Sequence, residues 1–584
     1  ASSIAIRGFG NGSHGGDLGV VIDGIPLNEA NSHEDGYVDL NVIIPLEIDS
    51  MTVYRGPVSA LYGNFNRGGL IALESRKTGD YSQADLSVGS FETFDAQAAF
   101  GRSVGDRQQY NGAFQFYRTD GFRPQSRAER GTFAGRATLM ATNDLDVSLS
   151  TRLHKADADS ASYITHAQFR TDPFGIDPRT QNDGAEKNFG TLRADVNYTL
   201  SPSLKLLTFA YATQQDFTRW FSRPSGPAPM WRQREESYDR RVYGVGTSLN
   251  GRLEMGERTV NFVAGVEGFH ETTGFLFFDG LDNRRRVNPG QFDRESVLES
   301  VAAFVQADIP LHRLLDLSLG LRADRFTGDC RRTGPETVGD QCSEFEGISN
   351  FSPKIGLRSQ VLPWLQLRTS FAEGFALPSD FAKYSVGGQD LDVSTLRQFE
   401  VGAKVLLGTS VDFDIAHYRI KSTNEIRQTA PGEFENFGET LRRGVEASMT
   451  WVPTDTLEFK GAFGRTYSNI EVNANPSIIG NYVSGVPDYT GTLTATWNPI
   501  AALSLNATGR YVGQYFVNAA NSIEAPSYTL LDLGASYAVQ GRMPFNVFFN
   551  IDNVADRKYA SSFNAATLAP GMPRSYRVGV QFDF

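Results

Sequence analysis

Apolar and polar residues alternate one for one along most of this chain, from about Asp80 to the last residue. Leu86 and Val88, then Phe94, Ala96, Ala98 and Phe100, occupy every second position. The same alternation returns in Leu317–Arg325, Gln398–Val405, Val445–Trp451, Leu457–Phe463, Leu530–Tyr537 and Tyr576–Phe584. A period of two is the repeat of a strand with one apolar and one wet face. No run approaches the roughly 18–20 apolar residues of a membrane-crossing helix. Mean hydropathy is −0.31, the value of a soluble protein. A transmembrane β-barrel has the same average, because each of its strands is only half apolar.

The links between these segments fall into two lengths. SVGDRQQ, TNDL, SPS, VLPW, LGTS, PTDT and NPIAA are short, whereas 156–188, 222–232, 272–296, 328–349, 376–396 and 513–527 are long and polar. Short turns at one rim and long loops at the other mark an outer-membrane barrel. Counting on this basis gives about 22 strands, the size of plugged transporters rather than porins. The final SYRVGVQFDF puts Tyr576, Val578, Val580, Phe582 and Phe584 on one face and Arg577, Gly579, Gln581 and Asp583 on the other. These read as a lipid face and a lumen face. The other reading, an edge strand of a soluble β-sandwich, requires domain boundaries that the sequence does not display.

Residues 1–79 differ in character. Ile48–Arg76 reads as a strand (Met51–Tyr54), an Arg-Gly-Pro turn, a small-residue segment with Leu61 and Tyr62, a Gly-rich bend and a second strand (Leu70–Ser75). Gly56, Gly63, Gly68 and Gly69 fall where the backbone must turn or pack closely. Earlier, SIAIRGF alternates like a short strand and DLGVVIDGIPLN reads as strand, turn and exit. This is a compact α+β unit, short for an independent enzyme, that fills something larger. The expected organisation is a domain over 1–79 inside an antiparallel barrel over 80–584.

The chain carries 41 Phe, 22 Tyr and a formal charge of −12. An acidic balance disfavours nucleic acid as a partner. Cys330 and Cys342, the two cysteines, are flanked by polar turn residues and suit one loop disulfide in an oxidising compartment; two free thiols are the alternative. Ala1 opens inside a structured segment with no secretory leader, which points to a natural start further upstream.

Six blocks carry a family resemblance: IAIRGFG (Ile4–Gly10), VVIDGIPLN (Val20–Asn28), MTVYRGPVSALYG (Met51–Gly63), RGGLIALESR (Arg67–Arg76), FFNIDNVADRKY (Phe548–Tyr559) and PGMPRSYRVGVQFDF (Pro570–Phe584). On them the chain resembles TonB-dependent outer-membrane receptors. The resemblance implies an N-terminal plug inside a 22-stranded barrel in a Gram-negative outer membrane. It also implies coupling to TonB with ExbB/ExbD, contact with lipopolysaccharide, and uptake of a scarce ligand without any cofactor. A ferric siderophore is the default cargo; cobalamin, another metal complex or a saccharide is the rival. With Met at 7, a thioether-rich copper site is disfavoured. The family's TonB box lies upstream of the plug and is not within this sequence, and the short plug implies that about half of its usual N-terminal part is absent. A passive porin or adhesin, and an outer-membrane enzyme, are the readings from other classes.

Candidate site residues follow. Arg7 and Arg55 stand beside glycines on plug strands, and a partly buried guanidinium needs a carboxylate. In RQFEVGAKV and RRGVEASMTW the apolar alternation turns Glu400 and Glu446 inward. By resemblance, Arg7, Arg55, Glu400 and Glu446 form a plug-to-wall lock. His33, Glu34 and Asp35 lie in a polar loop that the resemblance aims at the outer vestibule, as ligand contacts rather than a metal site. The stretch FTRWFSRPSGPAPMWRQR, read as a loop, supplies Arg219, Trp220, Arg223, Trp231 and Arg234, a mixture suited to an anionic, partly aromatic ligand. Catalytic signatures are wanting: GNGSHG opens no apolar helix, and GxSxG, HExxH and Walker A patterns do not occur.

Overall fold

A computed structural model describes residues 4–10, 17–32, 36–224, 231–333, 342–385, 390–430, 433–563 and 565–584. Among the described residues, 22 strands pair antiparallel in chain order and close into a barrel. The closing pair is Ser575–Asp583 with Tyr81–Gly89, in a register that sets Val578 opposite Val88 and Val580 opposite Leu86. Closure satisfies the backbone groups that an edge would expose to lipid. The period of two sorts the side chains as the sequence requires. On Ser394–Leu407, Phe399 is 50% and Val401 40% exposed, whereas Gln398 between the wall and the plug is 1% exposed. Trp451, Trp497, Tyr537 and Tyr576 are among the aromatic side chains on the outer surface.

The predicted short links are the short turns of one rim, for example between Gly184–Ser201 and Leu204–Pro224, and between Leu457–Val472's neighbours Glu439–Thr454 and itself. The opposite rim departs from expectation. The stretch 272–296 is not a loop: Arg258–Asp282 and Arg285–His312 continue through it and meet at Asn283–Arg284. Both turn residues have positive φ, 52° and 62°, as a two-residue hairpin turn demands. Likewise 217–224 and 231–234 belong to the strands Leu204–Pro224 and Trp231–Met255 rather than to a loop. The 28 residues of Arg285–His312 extend roughly 90 Å along the strand, against an apolar band about 25 Å tall. These four strands therefore project far beyond the bilayer on the loop side.

Inside, Ile25–Pro26, Leu18–Ile22, Gly69–Ser75 and Ile48–Arg55 form a four-stranded sheet in that order. Leu18–Ile22 pairs parallel to Gly69–Ser75, so the sheet is mixed. Its core is Val20, Ile22, Leu27, Val38, Val42 and Leu73, packed against Phe189 of the wall. Helical content in the described part of this unit is confined to two 3₁₀ turns, Leu40–Val42 and Pro45–Glu47. SIAIRGF is not one strand: Ala5–Ile6 folds back on Phe9–Gly10, with Arg7 and Gly8 at positive φ in the turn.

The unit touches the wall on many strands. Leu46 N–H donates to Gln97, Ala60 N–H to Gln306, and Leu377 N–H to Asn64 of the unit; Arg152, Arg240, Arg322 and Gln398 donate to its backbone carbonyls. Contacts from so many strands require it to lie in the lumen. Two of its glycines are dictated by these approaches. Gly56 has φ +94°, and a Cβ there would meet Gln398; a Cβ on Gly63 would lie 2.7 Å from Arg322 Nε.

Candidate functional site

The tight turn of the N-terminal hairpin throws Arg7 at the wall. Its Nη2 donates to Glu400 Oε2 at 2.7 Å and Glu446 Oε2 at 2.9 Å, its Nε to Glu446 Oε1 at 3.2 Å. The guanidinium stacks over the Tyr418 ring at 4.3 Å, and its side chain is 1% exposed. Arg55 reaches Glu446 at 3.4 Å from a half-exposed position. Glu400 also receives Arg368, which binds Asp414 at 2.6 Å. The four residues anticipated from the sequence thus share one cluster, with Arg7 central and Arg55 peripheral. Phe9 next to it is buried among Leu396, Tyr418 and Ile420, with Arg442 over its ring at 4.0 Å.

Three further ion-pair groups hold the plug, and the sequence reading missed them. Arg152 binds both oxygens of Glu47 at 2.5 and 2.9 Å and donates to the Val42 carbonyl at 2.8 Å. Lys187 lies 3.1 Å from Glu29 and 3.4 Å from Asp39. Arg240 binds Glu271 at 2.7 Å while Glu271 accepts from Asn31 N–H at 3.0 Å. The signal that could have found them is phase. Lys187 shares the inward row of Phe189, and Arg240 that of Val242, on strands whose alternation is already legible.

Asp39 is a proton-sensitive member of this set. Burial disfavours its charged form, yet Lys187 and the two N–H groups of Asn41 outweigh burial, so its pKa sits below the ordinary carboxylate value. A depressed folded pKa gives stability that is present above the unfolded value and disappears as pH falls through the folded one. Asp39→Asn is expected to loosen the plug at pH 7, and its difference from the parent protein to begin shrinking at about pH 4 and to vanish only below the depressed folded pKa. Hydrogen exchange of the plug as a function of pH measures both.

His33, Glu34 and Asp35 lie outside the described residues. The arginine–aromatic stretch is divided by the strand geometry, which corrects its reading as one loop surface. Alternation continues the inward row of Arg240 through Tyr238, Glu236 and Arg234, and on the neighbouring strand Gln215 is followed by Phe217, Arg219, Phe221 and Arg223. Arg219 binds Glu236 at 2.6 Å and Arg234 binds Asp279 at 3.1 Å; exposed Arg223 lies over Phe221. Phe217, Tyr238, Phe275 and Phe277 form a ladder of ring contacts on this inner wall. Trp220 and Trp231 occupy the opposite face. Trp220 donates to Glu235 and carries Arg284 over its ring at 4.7 Å, and Arg179 covers Trp231 at 3.9 Å. The two tryptophans therefore face away from the ladder, against the segment that holds Arg179.

A disulfide joins Cys330 and Cys342. Cys330 is buried with Ala30, Leu298, Phe326, Phe375, Tyr384 and Val393 in a cluster above the plug. A strap of wall residues crosses there: Lys383 Nζ donates to the Ala30 carbonyl at 3.1 Å and Tyr384 OH to the Val297 carbonyl at 2.8 Å. Below it, between the plug and the long strands, is a cavity of about 280 Å³ lined by Tyr62, Phe65, Phe209, Tyr211, Phe269 and Phe304, among others.

The comparisons agree with this architecture. Residues 146–554 match the family described as TonB dependent receptor-like, beta-barrel, and residues 1–70 match the TonB-dependent Receptor Plug Domain. The chain is 22% identical to the ferrichrome outer membrane transporter/phage receptor of Escherichia coli K12, covering 100% of this chain and 84% of that protein. It is 23% identical to the ferrioxamine B receptor of Salmonella typhimurium SL1344, with 96% and 83% covered. Among solved structures, the siderophore receptor PiuA from Acinetobacter baumannii superposes with a TM-score of 0.87 at 17% identity, covering 100% of this chain and 91% of that one. The unliganded ferric citrate transporter FecA gives 0.88 at 15% identity, with 100% and 90% covered. With a closed barrel of 22 strands, a plug bound to its inner wall and a family match over most of its length, the chain belongs to the TonB-dependent receptors of the Gram-negative outer membrane.

Proposed function

We propose that this receptor takes up a ferric siderophore across the outer membrane, with TonB and its ExbB/ExbD complex supplying the force that rearranges the plug. The observation that carries the reading is a lumen filled by a plug that is ion-paired to the wall through Arg7, Glu47 and Glu29, below a vestibule wall of aromatic rings and matched charges. A passive pore has no use for such a stopper. Relatives named as receptors for ferrichrome and ferrioxamine B support a metal chelate as cargo. Arg7, Arg55, Glu400 and Glu446 act as the plug lock.

Iron-starved cells with and without this protein, offered a panel of radiolabelled ferric chelates, test the reading. Uptake that needs both the protein and the proton-motive force is expected; uptake that survives its collapse refutes coupling. Within the vestibule, Arg219→Ser is expected to change chelate affinity by less than about threefold, since Glu236 already matches its charge. Arg223→Ser has the larger effect of the two. Chelate titration followed by tryptophan fluorescence measures both.

A further inference from the structure

The cavity beneath the strap has a composition that selects cargo by charge. We propose that it is an internal station on the transport route which accepts an arm of a neutral or singly cationic chelate and rejects the arms of polyanionic chelates; this rests on the ferric-chelate reading above. Its plug side is Gly19, Val21, Tyr62, Phe65 and Leu70; its wall side brings Phe209, Tyr211, Phe269 and Phe304. Aromatic faces attract cations and pack on apolar bodies. The charged groups of the lining are Arg240, Arg322, Glu267, Glu271 and Asp324, three carboxylates against two guanidiniums. The pairs are closed on one another, Arg240 with Glu271 at 2.7 Å and Arg322 with Glu267 at 2.7 Å and Asp324 at 2.8 Å, so neither guanidinium is held out as an anion receptor. Arg240 Nε is nevertheless buried without a partner in this lining, which leaves one donor for a neutral carbonyl or hydroxamate oxygen. At about 280 Å³ the cavity lies just under the range of pockets for drug-sized ligands.

The roof explains why the station is separate from the vestibule. Ala30, Phe65, Phe269 and Phe326 belong both to the cavity lining and to the cluster that includes Tyr384 and Leu377 of the strap. Lys383 and Tyr384 tie that strap to the plug and the wall.

The test uses the whole receptor in energised cells. Both native cysteines are in the disulfide, so Ser300→Cys places a single thiol in the lining. Three probes are compared: a neutral cyclic ferric trihydroxamate, a singly cationic linear ferric trihydroxamate, and a ferric tris-catecholate of charge −3. The two trihydroxamates are expected to slow labelling of Cys at 300 by a neutral methanethiosulfonate at least tenfold, and the tris-catecholate to leave it unchanged. Glu267→Gln, which removes a negative charge from the lining, is expected to narrow that discrimination by about tenfold. In a second variant, Val242→Trp fills the cavity; uptake of the trihydroxamates should fall at least tenfold with binding at the cell surface retained. Equal protection by the tris-catecholate, or full uptake through the Val242→Trp receptor, overturns the assignment. If the cells take up trihydroxamates that never protect the thiol, the station falls and the iron-chelate reading stands. If they take up none of the three, the iron-chelate reading falls and the station with it.

Discussion

Arg7→Ala will turn this receptor into a leaky barrel. The substitution removes the cation that Glu400 and Glu446 share, at 2.7 and 2.9 Å, and leaves two carboxylates facing each other across the plug boundary. Breaking a buried pair by deleting one partner costs about 3–5 kcal/mol, because the remaining charges lose their compensation. The lower end applies here. Glu400 still has Arg368 at 3.3 Å, and a cavity of about 620 Å³ bordered by Arg7, Glu400, Asp412 and Asp414 lets water reach the cluster. A loss of about 3 kcal/mol raises the population of the released hairpin roughly a hundredfold. Single-channel recordings should show frequent openings where the parent protein is nearly silent, and cells should become sensitive to antibiotics too large for porins. Glu400→Gln with Glu446→Gln tests the same cluster from the wall, and there the loss should be smaller, since amides can still accept from Arg7. A silent Arg7→Ala barrel would show that the hairpin is held by Phe9 and its apolar neighbours instead.

The inward direction of Glu400 and Glu446 was legible because Phe399, Val401 and Trp451 fix the phase of their strands, and phase is a local property. The reach of the long strands was not. Above the bilayer both faces of a strand meet water, so the apolar alternation that marks a strand fades in 272–296 although the ladder continues. Reading 217–234 as a loop had a further consequence. On a strand, Arg219 and Trp220 point to opposite faces, and only the arginine joins the inner wall with Glu236. The Arg7–Gly8 turn was hidden for a different reason: a two-residue turn fits inside SIAIRGF without interrupting its alternation. Glu47 and Arg152 are 105 residues apart, and no local pattern in one sequence joins such a pair.

That pair sets the second large effect. Glu47 and Arg152 are both 6% exposed, and the free space around them amounts to about 40 Å³, room for only a few waters against the far larger cavity beside Glu400. Glu47 also accepts from Ile44 N–H at 3.1 Å, so one carboxylate caps its own 3₁₀ turn and anchors that turn to the wall. Arg152→Met is expected to destabilise the plug by about 3–5 kcal/mol, the full figure for an uncompensated buried charge. Adding Glu47→Leu should recover part of it, since apolar replacement of both partners removes the unpaired charge. Recovery will be incomplete, because Ile44 N–H and the Val42 carbonyl lose their partners, at about 1–3 kcal/mol each where they stay buried. Hydrogen exchange over residues 38–48, followed with the barrel folded, separates the three variants. The contrast with Arg7 bears on how the plug moves. A cluster whose carboxylates border a large cavity can exchange its ion pairs for hydration as it breaks, whereas one with room for only a few waters does so far less. Under load, residues 4–10 should therefore lose protection while residues 38–48 keep theirs, and equal loss in both segments would mean that the plug leaves the wall as one body.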